Sequence, residues 1–200
     1  ESFQGGHEPK VMSNALEEIL RNGVREKLEA GEVVASMMVR LVRGVEIARI
    51  AKSAGFDTFY IDLEHCSFSL ETASQICMAA LEVGIPAFVR VPANTPEYIT
   101  RVLDGGAMGV IAPHVRSAAQ AREVVRHARF APQGDRSANG GLPHLQYRSF
   151  PTAEANLALN RSTMVILMME ALDALEQVEE IAAVDGVDML LVGTNDLTAE

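Results

Sequence analysis

The chain repeats one unit: a short, unbroken apolar segment, then a stretch with helical spacing, then another apolar segment. The apolar segments are 33–39, 58–63, 86–91, 108–113, 164–169 and 188–192. They are continuous in hydrophobicity rather than alternating, which predicts parallel strands covered on both faces. Between them lie the helical stretches 44–54, 69–83, 95–104, 117–129 and 172–184, with a further helix, 13–30, ahead of the first strand. Their punctuation fits: Ser13 and Ser69 suit N-caps, Pro96 opens a helix after Thr95, and Gly31, Gly55, Gly84 and Gly105 follow helix ends. Strict alternation of strand and helix predicts an α/β fold with a parallel sheet.

A doubly wound sheet and a barrel both satisfy that alternation. Two features favour the barrel. No glycine-rich dinucleotide fingerprint follows the first strand, and polar residues sit after several strand ends instead of around one switch point. The expectation is a TIM (β/α)8-type barrel over residues 13–200, with an N-terminal helix. Six strands do not close an eight-stranded barrel, so C-terminal strands are expected to be missing from this chain. Residues 1–12 read as a tag-like, disordered start, and 131–161, rich in Gly, Pro, Ser, Asn and Arg, as an insertion.

Charge and composition narrow the partners. The net charge of −10, with no basic stretch, argues against nucleic acid or an anionic membrane surface. No apolar run reaches the roughly 20 residues of a membrane span. Cys66 and Cys77 lack metal-ligand spacing and read as reduced thiols of a cytoplasmic protein.

The strand ends carry the candidate chemistry. Thr58–Leu63 runs through Asp62 into Glu64 and His65, and the next strand ends at Arg90. His65 is a candidate acid or base, and Arg90 either a surface cation or a fixed partner for an anion. Glu170 closes the most apolar strand, and Asp196 follows the next one. Taken singly, these are the acidic first turn of a helix and a helix N-cap. Taken as a pair one βα unit apart, they suit a hard divalent cation such as Mg²⁺ or Mn²⁺. Asp104 sits unfavourably at a helix C-terminus. His114, His127 and His144 have no evident partner in the sequence. No lysine ends a strand, which disfavours Schiff-base chemistry.

These residues, in this order, resemble the HpcH/HpaI family of pyruvate-dependent class II aldolases. The resemblance runs from about Val33 to the end and is carried by Ala54–Asp57, Ile61–His65, Val89–Pro92, Val102–Gly106, Glu170 and Val187–Leu197. It implies a TIM barrel, a divalent metal (Mg²⁺ or Mn²⁺, or Co²⁺) and reversible cleavage of a 4-hydroxy-2-oxo acid to pyruvate or an analogue and an aldehyde. Carried over by position, it implies metal ligation by Glu170 and Asp196, enolate stabilisation by Arg90 and acid/base work by His65. Asp104 would raise the basicity of His65. The backbone around Asn195 and Asp196, with Gly193, would hold the substrate carboxylate. Asp62 and Glu64 themselves read as supporting or water-positioning groups behind His65. Met168 stands where the family usually has glutamine, and Gly193–Leu197 departs from the family's Gly-Pro-Ala-Asp-Leu; both leave the substrate open.

A helix that follows a barrel strand runs back toward the opposite face, so Asp104 should be far from His65 of its own chain. A homo-oligomer, trimer or hexamer, with shared sites is the corresponding expectation. Contacts to the aldehyde half are expected from 131–161, from the missing C-terminal part or from a neighbouring subunit. Two readings compete with the aldolase: a decarboxylase or citrate-lyase-like enzyme using the same enolate chemistry, and a non-catalytic oligomeric barrel.

Overall fold

The computed structural model describes residues 14–199. Six strands form one parallel sheet in chain order: β1 (Ser36–Val39), β2 (Thr58–Asp62), β3 (Ala87–Arg90), β4 (Gly109–Ala112), β5 (Met164–Met169) and β6 (Met189–Val192). Helices α3 (Glu46–Ser53), α4 (Leu70–Val83), α5 (Pro96–Asp104) and α6 (Ala118–Ala128) follow the first four strands in turn. The strand order is that of a (β/α) barrel, and β1 and β6, the two edges, are not paired with each other. The sheet curls: Met38 of β1 and Val192 of β6 line the same cavity.

Period two along each strand splits the core into two layers. Phe59, Ile61, Val89, Val110, Val165 and Leu167 face outward onto the helices. Phe88, Ile111, Met164, Ile166 and Met168 face inward, where Val24 joins them. The same parity places Arg90 on the inner side with Phe88, and Glu170 with Met168. Gly109 is required where β4 meets β5: a Cβ there would lie 2.5 Å from the carbonyl oxygen of Met164.

Several expectations are corrected. The helix expected at 13–30 is two helices, α1 (Asn14–Ile19) and α2 (Gly23–Glu29). Asn22 breaks it by capping α2, accepting the N–H groups of Val24 and Arg25, while its Nδ2 donates to the carbonyl of Ser162 at 2.7 Å. Ser13, the expected cap, and the tag-like residues 1–12 lie outside the described residues. The helix expected at 172–184 is likewise two short ones, α8 (Leu172–Glu176) and α9 (Val178–Ala182), and α10 (Thr194–Leu197) follows β6. The segment 131–161, expected as an insertion too long for a simple connection, carries structure of its own. It contains a 3₁₀ turn (Pro143–Leu145) and leads into α7 (Thr152–Ser162). Leu142, Leu145, Ala155 and Leu159 bury against Leu16, Leu20 and Phe130, a small second core under the sheet. No helix among the described residues is long and apolar enough to cross a membrane.

That second core holds a histidine. His144 is buried, its Nε2 lies 2.9 Å from the carbonyl of Ala107, and burial pushes its pKa down to about 4. The unfolded chain takes up this proton near 6.5, the folded chain only near 4. Between those values the unfolded state binds more protons, so stability falls as pH drops from about 6.5, by up to about 3 kcal/mol from this group. His144→Gln keeps a donor and does not titrate. Comparing its denaturation midpoints with wild type from pH 7 to pH 4 should show a shallower loss; parallel curves would count against His144 as a source.

Candidate active site

Register builds the first part of the site. Asp62 and Arg90 are partners across β2 and β3. Both side chains are buried, and they form a two-pronged pair: Nε donates to Oδ1 at 3.0 Å and Nη2 to Oδ2 at 2.6 Å. Asp62 Oδ1 also accepts the backbone N–H groups of Glu64 and His65 at 3.0 and 3.2 Å. One carboxylate therefore aims the guanidinium and shapes the turn that carries His65. Burial pushes the Asp62 carboxyl up, but the Arg90 and backbone hydrogen bonds outweigh it and hold it below the usual range. Burial likewise works against the Arg90 charge, and Asp62 more than compensates, raising its pKa. Arg90 Nη1, the prong not used by Asp62, faces Met168 Sδ at 3.6 Å and Glu64 Oε2 at 3.1 Å.

Glu64 is the hub of the second part. Its mostly buried carboxylate lies 2.7 Å from His114 Nε2 and 3.6 Å from His65 Nε2. Oε2 has no well-directed hydrogen bond, although Arg90 Nη1 is near. His114 was not singled out from the sequence. Its signal was its position: it follows Pro113, just past β4, as Glu170 follows β5. Its φ of 55° is left-handed, a region that non-glycine residues seldom occupy.

Glu170 is 5% exposed. Its Oε2 accepts the His114 backbone N–H at 2.9 Å. Gly193 leaves room for the other side: a Cβ there would sit 2.5 Å from Glu170 Cγ and 2.8 Å from Oε1. His114, Glu170 and Asp196 each offer a ligand atom, all within 4.8 Å of one another. A cavity of about 240 Å³ joins these parts, lined by His65, Arg90, Met168, Glu170, Gly193, Asn195 and Asp196, with Met38, Arg40 and Tyr60 at the β1 side. Sequence reasoning missed Arg40 and Tyr60. A larger hollow of about 730 Å³, lined by Glu18, Gly84, Pro86 and Met108 among others, lies at the strand starts and contains none of the candidate residues.

Asp104, expected to lie away from His65 of its own chain, does not line the cavity; it ends α5 and binds Arg136 Nη2 at 2.6 Å. Residues 131–161 contribute nothing to the cavity lining, being packed against α1. Cys66 and Cys77 are free thiols, and burial pushes Cys77 up to about 12, which leaves it unreactive.

Asp62 is neutralised by Arg90 and Glu64 is engaged by Arg90 and His114, but Glu170 and Asp196 bring two further carboxylates to one small volume. Carboxylates so placed repel unless a cation lies among them. The shape of the site agrees, because Gly193 removes the side chain that would fill the space beside Glu170. A cavity of this kind, at the C-terminal ends of parallel strands, is where (β/α) enzymes handle small anionic substrates.

The chain belongs to the HpcH/HpaI aldolase/citrate lyase family, whose sequence pattern matches residues 35–200. It is 43% identical over 188 residues to a 4-hydroxy-4-methyl-2-oxoglutarate aldolase of Hapsidospora irregularis, covering 93% of this chain and 68% of that protein. It is 41% identical over 181 residues to another of the same name from Chaetomium globosum, covering 90% and 67%. Among solved structures, an HpcH/HpaI aldolase from Desulfitobacterium hafniense superposes with a TM-score of 0.85 at 32% identity, covering 90% of this chain and 69% of that one. The chain thus spans about two thirds of the length of each of the three.

Proposed function

We propose that the protein cleaves a 4-hydroxy-2-oxo acid to pyruvate, or a close analogue, and a carbonyl product, with a divalent cation held by Glu170 and Asp196. The observation that carries this reading is the convergence of Glu170, Asp196, Arg90 and His65 on one cavity sized for a small acid. A bound Mg²⁺ or Mn²⁺ would act as a Lewis acid toward the 2-oxo group.

The chain's own residues supply the rest. His65, half exposed at the mouth, takes the proton from the 4-hydroxyl as the C3–C4 bond breaks and the electron pair moves into C3. Arg90 Nη1 faces the enolate oxygen that develops, and Asp62 keeps the guanidinium from turning away. Gly193, Asn195 and Asp196 border the substrate carboxylate. Met168 offers that prong only a weak thioether acceptor, with Glu64 Oε2 3.1 Å away, so a substrate oxygen can compete for it. Protonation of C3 gives pyruvate. Asp104, engaged by Arg136 in its own chain, would serve a histidine of a neighbouring copy, in a trimer or hexamer.

The test is pyruvate release from 4-hydroxy-4-methyl-2-oxoglutarate and 4-hydroxy-2-oxovalerate, coupled to NADH oxidation by lactate dehydrogenase. Cleavage should stop with EDTA and return with Mn²⁺ or Mg²⁺. Decarboxylation of oxaloacetate without cleavage of either hydroxy acid would move the assignment to a decarboxylase. Silence on all three substrates in the metal-loaded protein would leave a non-catalytic barrel.

A further inference from the structure

We propose that His114 is a third protein ligand of the divalent cation, offering Nδ1, and that Glu64 behind the ring holds it in place. The inference deepens the metal reading above and rests on it.

The first argument is the tautomer. Glu64 Oε1 lies 2.7 Å from Nε2, so in the neutral ring a carboxylate accepts the Nε2 proton and Nδ1 carries the lone pair. This is the arrangement by which metal-binding histidines are oriented: a carboxylate on one nitrogen, the ion on the other. Glu64 is well suited to it, being mostly buried and outside the proposed pair of metal carboxylates.

The second argument is direction. Nδ1 lies 3.2 Å from Glu170 Oε2, yet no hydrogen bond runs between them; Oε2 is taken by the His114 backbone N–H at 2.9 Å. Nitrogen and carboxylate are side by side, not aimed at each other. Two electron-rich atoms held this close gain from a positive centre that both can face. Asp196 brings its carboxylate within the same 4.8 Å span.

The third is the backbone. A left-handed φ of 55° is uncommon for any residue but glycine, although histidine, like asparagine and aspartate, adopts it more often than most. Here it turns both the N–H and the ring of one residue toward Glu170. Such outliers persist where the surroundings impose them and cluster at functional sites.

The consequence is selectivity. Two carboxylates and water suit Mg²⁺; replacing one oxygen by imidazole nitrogen favours Co²⁺, Ni²⁺ or Zn²⁺. Purified, metal-stripped protein should be titrated with Mn²⁺, Co²⁺ and Mg²⁺, and the Mn²⁺ complex examined by pulsed electron paramagnetic resonance. Wild type should show coupling to a directly bound ¹⁴N. His114→Asn, which tolerates the left-handed backbone, should lose that coupling. It should bind Co²⁺ about 10–100-fold more weakly, with Mg²⁺ affinity changed less. Glu64→Gln should weaken Co²⁺ in the same direction while keeping the ¹⁴N signal, which keeps the test valid if His114→Asn fails to fold. Tight Mn²⁺ binding to wild type without ¹⁴N coupling would overturn the His114 role and leave the two-carboxylate site standing. Absence of any divalent-ion binding would overturn both.

Discussion

Glu170→Gln should lower kcat/KM for 4-hydroxy-2-oxo acid cleavage by about 10³-fold or more, without loss of fold. The substitution keeps shape and an acceptor for the His114 N–H; it removes only the charge. Charge is what holds a hard divalent cation, and a cation acting on a developing oxyanion is worth several kcal/mol, or about three decades of rate. Stability should move the other way. Glu170 is 5% exposed and lies close to the Asp196 carboxylate. Neutralising it relieves the repulsion between them, so the melting temperature without metal should hold or rise, the usual trade between stability and a charged site. Added Mn²⁺ should raise the melting temperature of wild type by mass action and leave the variant unmoved. Activity above a tenth of wild type would remove Glu170 from the metal role.

How much of this was legible beforehand depended on what kind of physics placed each residue. Period two and strand ends are local, so Arg90 and Glu170 could be assigned to the inner face from the sequence, and β2–β3 register then made Asp62 the partner of Arg90. His114 carried the same strand-end signal. Its role depends on a left-handed turn and on two neighbouring strands, and neither is written in its own segment. The break at Asn22 reflects a bond to Ser162, and the order of 131–161 reflects burial against α1. Buried charge shows the same limit: Asp188 is held by Arg25 at 2.7 Å and Arg129 at 2.5 Å, from segments far apart in the chain. The apolar spacing of 172–184 is that of one continuous helix, yet the chain breaks between α8 and α9 at Gln177. Long-range partners overrode local propensity in the first three cases; for the last, the structure offers no comparable cause.

Arg90→Met should damage both activity and stability, and the two losses should separate. Removing the guanidinium leaves the Asp62 carboxylate fully buried with its main countercharge gone. Breaking a buried pair from one side costs about 3–5 kcal/mol, and losing the cation beside the enolate oxygen costs about 10²–10³-fold in rate. The pH dependence gives the sign. In wild type the folded Asp62 pKa is depressed, so its contribution is complete above the unfolded value of about 3.9 and is lost as pH falls through the lower folded value. In Arg90→Met burial is left in control and the folded pKa rises above the unfolded one. The penalty is then largest at neutral pH and shrinks on acidification. Urea denaturation should therefore show a stability gap to wild type that is wide at pH 7 and narrower at pH 4.5. The double variant Asp62→Asn, Arg90→Met keeps an acceptor for the Glu64 and His65 N–H groups and carries no buried charge. It should recover most of the lost stability, show a gap that no longer changes with pH, and remain as inactive as the single variant. Recovery of activity along with stability would mean that Arg90 acts only by holding the fold, since the guanidinium is absent from both proteins.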